Sequence, residues 1–363
     1  MPIIFYLLLF ILFAVSLRFR KDDVFLDRKS SNVIKGFFIL LIVFTHILNA
    51  FPYDGFMSTP LAWFRSILGQ LCVSMFFFLS GYGILYSVEE KGDIYSKSIF
   101  TNRFLRILFY TIIALIPFFI YSACLGTNHS VYDYFLSIIG LSSFGNSSWF
   151  LFAILVCYFL CSVVYLFNYN NKYIPVIIIS CGVIAYIFIM YFLGEPHYKW
   201  DTIVCFVYGM IIAIFKEKVN KFLSKKWPLF IFLVVSIAVV IVLQCVVILK
   251  PEYLPVIFEM WFVNAFFCLF FVCLTKIFVL TSRILSYLGK ASYSIFIMHM
   301  FVINSFVDLG SISNEWFNYL VLFIASPLVG IPIYYVYKIM DKYVTDPIVD
   351  CNRCLILRNK TSE

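Results

Sequence analysis

Residues 35–50 read KGFFILLIVFTHILNA, an apolar run of helical length that contains one cation and one histidine. Lys35 stands at the start of the run, and His46 follows eleven residues later. Eleven residues complete three α-helical turns to within about 20°, so the two side chains share one face, separated by roughly 16 Å of rise. The spacing therefore predicts a helix with a single polar stripe.

The composition of the whole chain is that of a membrane protein. Hydrophobic residues make up 63%, aromatic residues 21% and charged residues only 13%, with a mean hydropathy of +0.98. These values lie outside the range of soluble globular chains. Apolar segments of bilayer-crossing length recur from end to end, which predicts an all-α polytopic membrane protein. An intramembrane histidine such as His46 is then a candidate functional residue.

Eleven apolar segments are predicted to span the membrane. The first, residues 2–17, has no basic residue before it and is followed at once by Arg18 and Arg20, which is unlike a secretory signal peptide. We therefore expect a retained helix with its N-terminus outside. The other segments cover approximately residues 33–51, 61–87, 100–122, 149–167, 173–193, 200–215, 228–249, 257–279, 290–307 and 316–338.

The distribution of Lys and Arg between alternate connections supports this count. One alternating set of connections, with the C-terminal tail, holds 24 of the 27 cations, and only Arg65, Lys199 and Lys250 fall on the other side. Short cytoplasmic loops accumulate positive charge, so the pattern predicts eleven spans, an outside N-terminus and a cytoplasmic C-terminus. The net charge of +8 is then mostly a topology signal, and no nucleic-acid partner is expected.

The chain shows no linker that would separate a second folded domain. We expect residues 1–30 to form an extra N-terminal transmembrane helix with a basic cytoplasmic linker, residues 31–340 a membrane domain, and residues 341–363 a short cytoplasmic tail. Cys351 and Cys354 form a single C-x-x-C motif without a second pair, which is a weak signal for metal or redox chemistry. No bound metal is predicted.

Three cations are predicted to stand at one level, the cytoplasmic surface. Lys35 lies at the mouth of its helix, and Arg103 and Arg106, three residues apart and hence on one face, open the helix after next. They either extend to lipid headgroups or bind a phosphate-bearing ligand that enters from the cytoplasm. Charge alone leaves both interpretations open.

Two histidines are predicted to share a depth in the membrane. His46 lies beyond the midplane of its helix, and His299 follows Lys290 by nine residues, roughly 14 Å of rise. Each is either a neutral imidazole in an interhelical hydrogen bond or a functional group. As a functional group, His46 would be a general base, because the pKa of histidine lies near working pH. For His299, a packing or orienting role is equally open.

Five motifs in order resemble the acyltransferase family 3 membrane proteins, which transfer acyl groups to cell-surface carbohydrates. The motifs are K-G-x9-H from Lys35 to His46, FFFLSGYG at 76–83, RFLR at 103–106, SSWFLFAI at 147–154 and LGKASYSIFIMH at 288–299. Together they cover about residues 31–338. The family usually has Arg where Lys35 stands, and Lys keeps the charge but lacks bidentate geometry.

The resemblance implies a ten-helix acyltransferase-3-like core, which leaves residues 2–17 as an extra span. It also implies a membrane-bound O-acyltransferase of the cell membrane, expected to be the bacterial cytoplasmic membrane. Acetyl-CoA is the expected acyl donor substrate, with its phosphates near Lys35, Arg103 and Arg106, and His46 is the expected catalytic base. Supporting positions are expected at Ser80, Tyr82, Trp149, Tyr293 and His299.

The expected acceptor is a hydroxyl group of an extracytoplasmic polysaccharide or glycan, reached from the outer side of the membrane. Two alternatives stay open: a transporter or flippase of a glycan or acyl intermediate, and an acyltransferase that acts on a cytoplasmic-side lipid-linked sugar. Inverted repeats with paired broken helices would favour a transporter, and the sequence shows none. Neither histidine has Ser or Cys beside it, so an acyl-enzyme route has no support from sequence.

Overall fold

The computed structural model describes residues 2–55, 58–127, 129–249, 256–310 and 315–361. Two π-helical segments, Phe100–Leu105 and Asp341–Thr345, lead into longer helices, and a short 3-10 turn spans His197–Lys199. The α-helices within these ranges are α1 (Pro2–Val15), α2 (Arg28–Ala50), α3 (Ser58–Ser96), α4 (Arg106–Cys124), α5 (Val131–Ile138), α6 (Ser148–Val164), α7 (Tyr173–Phe192), α8 (Val204–Ile214), α9 (Lys216–Leu223), α10 (Lys226–Leu249), α11 (Val256–Ile277), α12 (Arg283–Lys290), α13 (Ser292–Asp308), α14 (Glu315–Met340) and α15 (Asp346–Thr361).

Each predicted segment contains a helix, although not every helix is long enough to cross a bilayer alone. Among the described residues, five stretches are long and apolar enough to do so, and two bent pairs, α9 with α10 (102°) and α12 with α13 (79°), raise the number to seven. Three more apolar helices are shorter. The protein is a helical membrane protein, while eleven spans and their orientation stay predictions. Lys250, expected on the outer side, lies outside the described residues.

Helix α2 is the centre of the bundle. Within its apolar window, 78% of the residues are buried, compared with 28% for the stretch Phe100–Cys124 and 22% for Trp316–Cys354. It contacts α1, α3, α12, α13 and α14. The stretch that contains Lys35 and His46 is therefore surrounded by protein on most sides.

Paired glycines let helices approach closely at two crossings. A Cβ atom on Gly36 would lie 1.9 Å from the carbonyl oxygen of Leu285, and one on Gly289 would lie 1.8 Å from that of Asn32, so α2 and α12 meet backbone to backbone. At the second crossing, between α3 and α8, Gly81 and Gly209 have equally close neighbours. Small residues at helix interfaces allow such contact within membranes.

A two-stranded antiparallel sheet is the one departure from the all-α prediction among the described residues. Strand β1 (Leu17–Phe19) pairs with β2 (Phe278–Leu280), with Leu17 opposite Leu280. Sequence analysis missed it because both strands are only three residues long and the pairing joins distant parts of the chain. The expected basic linker after α1 is thus attached to the segment between α11 and α12.

Charged residues of this linker hold the start of α2. Asp27 caps the helix by accepting hydrogen bonds from the backbone N–H groups of Lys29 and Ser30, both at 2.9 Å. The guanidinium of Arg20, only 2% exposed, pairs with Asp27 and with Asp22. Partial burial acts to raise the pKa of Asp27, but the hydrogen bonds from Ser30 and the Arg20 pair outweigh it and lower that pKa. The helix end is therefore fixed electrostatically.

A second ion network joins the linker to α9 and α11. Lys276, only 5% exposed, pairs with Asp23 and donates a hydrogen bond to the side-chain oxygen of Asn220 at 2.5 Å. Ser224 donates to Asp23 at 2.9 Å. Hydrogen bonds from Lys276 and Ser224 lower the pKa of Asp23. The buried ammonium group of Lys276 is thereby compensated, as a buried charge requires.

Gly36→Ala tests the α2–α12 crossing. The added methyl group would overlap the Leu285 carbonyl, so the helices must separate, and we expect a loss of about 1–3 kcal/mol in the free energy of unfolding. Gly83→Ala is the matched control, because no atom lies within 4 Å of a Cβ there. Denaturant or thermal unfolding in detergent measures both variants, and equal stability of the two would contradict the crossing.

Candidate active site

A large cavity opens at the end of the bundle where α2 begins and α3 ends. Its volume is about 1220 Å³. Its walls come from the linker before α2, the first turns of α2, the second half of α3, the π-helical segment Phe100–Leu105, and parts of α9, α12, α14 and α15. A cavity of this size is larger than a typical drug-sized pocket and suits an extended ligand.

The walls of the cavity are predominantly positive. Among the described residues, eight cationic and four acidic side chains line it. The cationic residues are Arg28, Lys35, Lys91, Arg103, Arg106, Lys216, Lys290 and Arg353. The acidic residues are Asp27, Glu90, Asp346 and Asp350. An excess of cations in a concave, partly desolvated site attracts anions more strongly than the same charges on an open surface.

Lys35 and Arg103 stand together on the cavity wall. Both are half-buried, and their charges are close enough to repel each other. The Arg103 Nε donates a hydrogen bond to the hydroxyl of Tyr95 at 3.0 Å, which orients the guanidinium. Two neighbouring cations in a cavity are stabilised by a bridging anion, so this pair is suited to a phosphate group.

Arg106 also lines the cavity, but its guanidinium contacts carboxylates of the C-terminal segment. Its Nη2 donates to Asp346 at 2.5 Å, and its Nε lies 3.5 Å from Asp341. The hydroxyl of Tyr110 donates to the other oxygen of Asp341. The three predicted cations therefore share one cavity, although Arg106 has a carboxylate where a ligand phosphate was expected.

Of the predicted supporting residues, Ser80 and Tyr82 lie on the cavity wall. Both belong to the FFFLSGYG motif of α3, where Gly81 between them makes the close contact with α8. Nearby, the ammonium of Lys216 lies 4.1 Å from the centre of the Tyr86 ring, a cation–π contact at the cavity wall. The motif thus contributes both packing and cavity surface.

The two predicted histidines are neighbours deeper in the bundle. The ring centres of His46 and His299 are 4.9 Å apart, with a 54° angle between the planes. His299 is completely buried, whereas His46 keeps part of its surface exposed. The expectation that they share a depth is met by this arrangement, which places two imidazoles side by side.

A hydrogen bond fixes one ring. Nδ1 of His299 lies 2.5 Å from the carbonyl oxygen of Phe296. A carbonyl only accepts, so Nδ1 carries the proton and, in the neutral ring, Nε2 is left with a lone pair. That buried Nε2 has no hydrogen-bond partner among the described residues. Because buried polar atoms are rarely left unpaired, a free acceptor beside His46 is typical of a functional site.

The remaining two predicted residues lie away from both the cavity wall and the histidine pair. The Tyr293 hydroxyl is 2.6 Å from that of Thr111 and belongs to an aromatic group with Tyr110 and Tyr337, whose rings stack at 4.2 Å. Trp149 contacts the Tyr198 ring at 5.9 Å and the Phe150 ring at 6.3 Å. Neither residue directly contacts Lys35, Arg103 or His46 in these interactions.

Sequence analysis missed part of the cavity wall. The cations Lys216, Lys290 and Arg353 were counted only as topology signals, and the acids Asp341 and Asp346 were assigned to a plain tail. The acids lie 235 or more positions along the chain from Arg106. No local periodicity connects such distant residues, so only their placement in three dimensions reveals the contact.

The fold and the site define a helical membrane protein with an anion-attracting cavity at one end and a buried imidazole pair deeper in the bundle. The chain belongs to the acyltransferase 3 family, whose model, described as an acyltransferase domain, matches residues 28–335. This confirms the family and the enzyme class predicted from the motifs, and the protein is a membrane acyltransferase. No curated protein and no solved structure shows significant similarity to the chain.

Asp346→Asn tests whether this carboxylate competes with anions for Arg106. Without the charge, Arg106 becomes available, and we expect inorganic pyrophosphate to bind roughly two- to fivefold more tightly, as befits a partly exposed ion pair. Isothermal titration calorimetry on the full chain measures the affinity. Glu217→Gln removes the same charge from an exposed residue of α9 that does not line the cavity, and it should leave the affinity unchanged. Unchanged or weaker binding in Asp346→Asn would contradict the competition.

Proposed function

We propose that the protein is an O-acyltransferase of the bacterial cytoplasmic membrane. It moves an acetyl group from cytoplasmic acetyl-CoA to a hydroxyl group of an extracytoplasmic polysaccharide or other glycan. The observation that carries the proposal is the position of one helix, α2, which contributes Lys35 to the cationic cavity and His46 to the imidazole pair. The cavity end faces the cytoplasm in this proposal, and membrane lipids surround the bundle.

The cavity supports the donor assignment. Coenzyme A carries a pyrophosphate and a separate phosphate, and an Arg guanidinium binds such groups through charge-assisted hydrogen bonds. Lys35 and Arg103 form a pair of like charges that a phosphate stabilises, and Arg106 joins them once Asp346 gives way. The volume of about 1220 Å³ accommodates an extended nucleotide-bearing ligand.

The imidazole pair supports the chemical step. His46 accepts the proton of the acceptor hydroxyl, and the oxygen attacks the carbonyl carbon of the thioester. The C–S bond then breaks, and the proton passes from His46 to the departing thiolate, so that an ester and free coenzyme A result. In the proposed step, the unpaired Nε2 of His299, whose ring is fixed by Phe296, accepts a hydrogen bond from the neighbouring His46 ring as substrate binds and so orients the base.

An acceptor on the cytoplasmic side, such as a lipid-linked sugar, would use the same residues. The separation along α2 favours the extracytoplasmic acceptor, because Lys35 and His46 are eleven residues apart, roughly 16 Å of rise. A donor bound at Lys35 would enter from the cavity end, and an acceptor would reach His46 from the opposite end. The two substrates would then meet through separate entrances. A transporter or flippase, the third interpretation, would move the intermediate without releasing coenzyme A.

His46→Ala tests the general base. Removing a positioned base costs roughly 10²–10⁴-fold in rate, so glycan-dependent release of thiol from acetyl-CoA should fall by that factor. The assay uses purified full-length protein with crude surface glycan. His129→Ala, at an exposed histidine just before α5, is the control and should retain full activity. Release that survives His46→Ala unchanged would exclude this mechanism.

Arg103→Ala tests the donor site. Because a hydrogen bond to a charged group contributes about 1.5–3 kcal/mol, the KM for acetyl-CoA should rise roughly tenfold or more. Arg103→Lys keeps the charge but loses the fork geometry, so we expect an intermediate effect. Arg18→Ala removes an exposed cation that does not line the cavity, and its KM should equal that of the native chain. A normal KM in Arg103→Ala would remove this residue from the donor site.

The side on which the product appears distinguishes the two acceptors. Vesicles of known orientation receive acetyl-CoA on the cavity side and glycan on either side alone. We expect acetylated glycan only when the glycan is on the side opposite the cavity. Product formed only with acceptor on the cavity side would support the lipid-linked sugar, and glycan movement without coenzyme A release would support a transporter.

A further inference from the structure

The cavity ends before it reaches the histidines. On α3, its deepest wall residue is Phe76. The level of His46 can be located on α3, because its neighbour Thr45 lies 3.9 Å from the Cβ position of Gly69. Seven residues separate Gly69 from Phe76, so the floor of the cavity lies about 10 Å short of that level. The described residues that line the cavity include neither His46 nor His299.

Aromatic rings fill this gap in a continuous chain. The Phe150 ring lies 6.4 Å from Phe76 and 4.9 Å from Phe77, and then 5.0 Å from Phe296. Phe296 in turn lies 5.7 Å from His299. These separations are those of directly packed aromatic rings. Phe150 is the link between the cavity floor on α3 and the imidazole pair.

The chain of rings is also dry. Phe77 is 0% exposed, and Phe150 and Phe296 are each 7% exposed, so little solvent reaches their surfaces. The three residues come from α3, α6 and α13, which means that the barrier joins three helices rather than one flexible loop. Apolar constrictions of this kind exclude water because they offer it no hydrogen-bond partner.

We propose that Phe77, Phe150 and Phe296 form an aromatic seal between the donor cavity and His46, and that Phe150 determines whether the thioester is transferred to a hydroxyl or hydrolysed. The inference rests on the proposed function, since it assumes that an acyl thioester passes from the cavity to His46. The acyl-bearing end of the donor displaces the Phe150 ring as it passes, and the rings close around it.

The seal determines which of two nucleophiles, the acceptor hydroxyl or water, attacks the thioester. In transfer, the acceptor oxygen bonds to the thioester carbonyl carbon, the C–S bond breaks, and coenzyme A leaves as its thiol. In hydrolysis, a water oxygen takes the place of the acceptor, gives its proton to His46, and free acetate forms with the same thiol. His46 activates either oxygen equally well. Water from the cavity must therefore be kept out while the donor waits for an acceptor.

The first experiment measures water access without any substrate. His299→Cys places a thiol directly behind the seal, and a membrane-impermeant methanethiosulfonate reagent is added to vesicles that present the cavity end to the solution. Mass spectrometry follows modification at position 299 alone. Adding Phe150→Ala should accelerate labelling roughly tenfold or more, because the ring that closes the gap is gone. Phe150→Leu, which stays apolar and bulky, should give a smaller acceleration and replaces the alanine variant if that variant does not fold.

Phe118→Ala is the matched control. Phe118 is also buried and packs against Phe301, but it belongs to a cluster outside the ring chain. Its removal should leave labelling at position 299 unchanged. Labelling that is not accelerated in either Phe150 variant would overturn the seal, and so would equal acceleration in Phe118→Ala, which would indicate general loosening of the bundle.

The second experiment measures how much acetyl is transferred to the acceptor and how much is lost to hydrolysis. With native histidines, Phe150→Ala should raise acceptor-independent release of coenzyme A and acetate roughly tenfold relative to the native chain, and Phe118→Ala should not. Unchanged hydrolysis in a Phe150→Ala variant that still transfers acetyl groups would overturn the proposal. If the native chain releases no coenzyme A with any glycan, the proposed function fails, while the labelling experiment still decides whether the seal exists.

Discussion

The backbone contact between α2 and α12 is the constraint on which the site depends. At this crossing, Gly36 and Gly289 leave no space for a side chain. Their neighbours in sequence, Lys35 and Lys290, are thereby brought to the wall of one cavity. Helix α2 continues from this crossing to His46, which contacts His299 of α13 beyond the 79° bend after α12. A change at the glycines would therefore separate the two cations.

The cationic side chains of the cavity are of two kinds, and an anion gains a different amount of binding free energy from each. Lys35 and Arg103 are like charges on one wall of the cavity, so an anion that binds between them offsets their mutual repulsion. Arg106 is already paired with Asp346, so an anion gains less by replacing that carboxylate. The C-terminal segment lies beyond residues 28–335, which the family model matches. It thus adds its own carboxylates to a site formed by the family domain.

The sequence predicted the helices and much of the site because local patterns encode both. Hydropathy placed each helix, and helical spacing put Lys35 and His46 on one stripe, with Arg103 and Arg106 on one face. The helical rise counted from Lys290 to His299 does not hold, because a 79° bend separates Lys290 from the helix that contains His299. Local patterns could not show contacts between distant segments. Examples are the pairing of β1 with β2 and the ion pairs of Arg106 with carboxylates of the C-terminal segment. The 79° bend between α12 and α13 was likewise not predicted.

In the proposed mechanism, donor and acceptor reach His46 from opposite ends of the bundle, and this requires a barrier between the cavity and the histidines. A continuous polar channel would connect the two aqueous phases, and water at the imidazoles would compete with every hydroxyl acceptor. Aromatic rings solve the problem because they pack tightly, turn within the space that they occupy, and offer water no partner. In this proposal, the ring chain from Phe76 through Phe150 and Phe296 to His299 is needed for acyl transfer as much as the charged residues are. The sequence alone does not distinguish these phenylalanines from other buried ones. Their position between a cationic cavity and an unpaired imidazole nitrogen is the basis for the proposed sealing role.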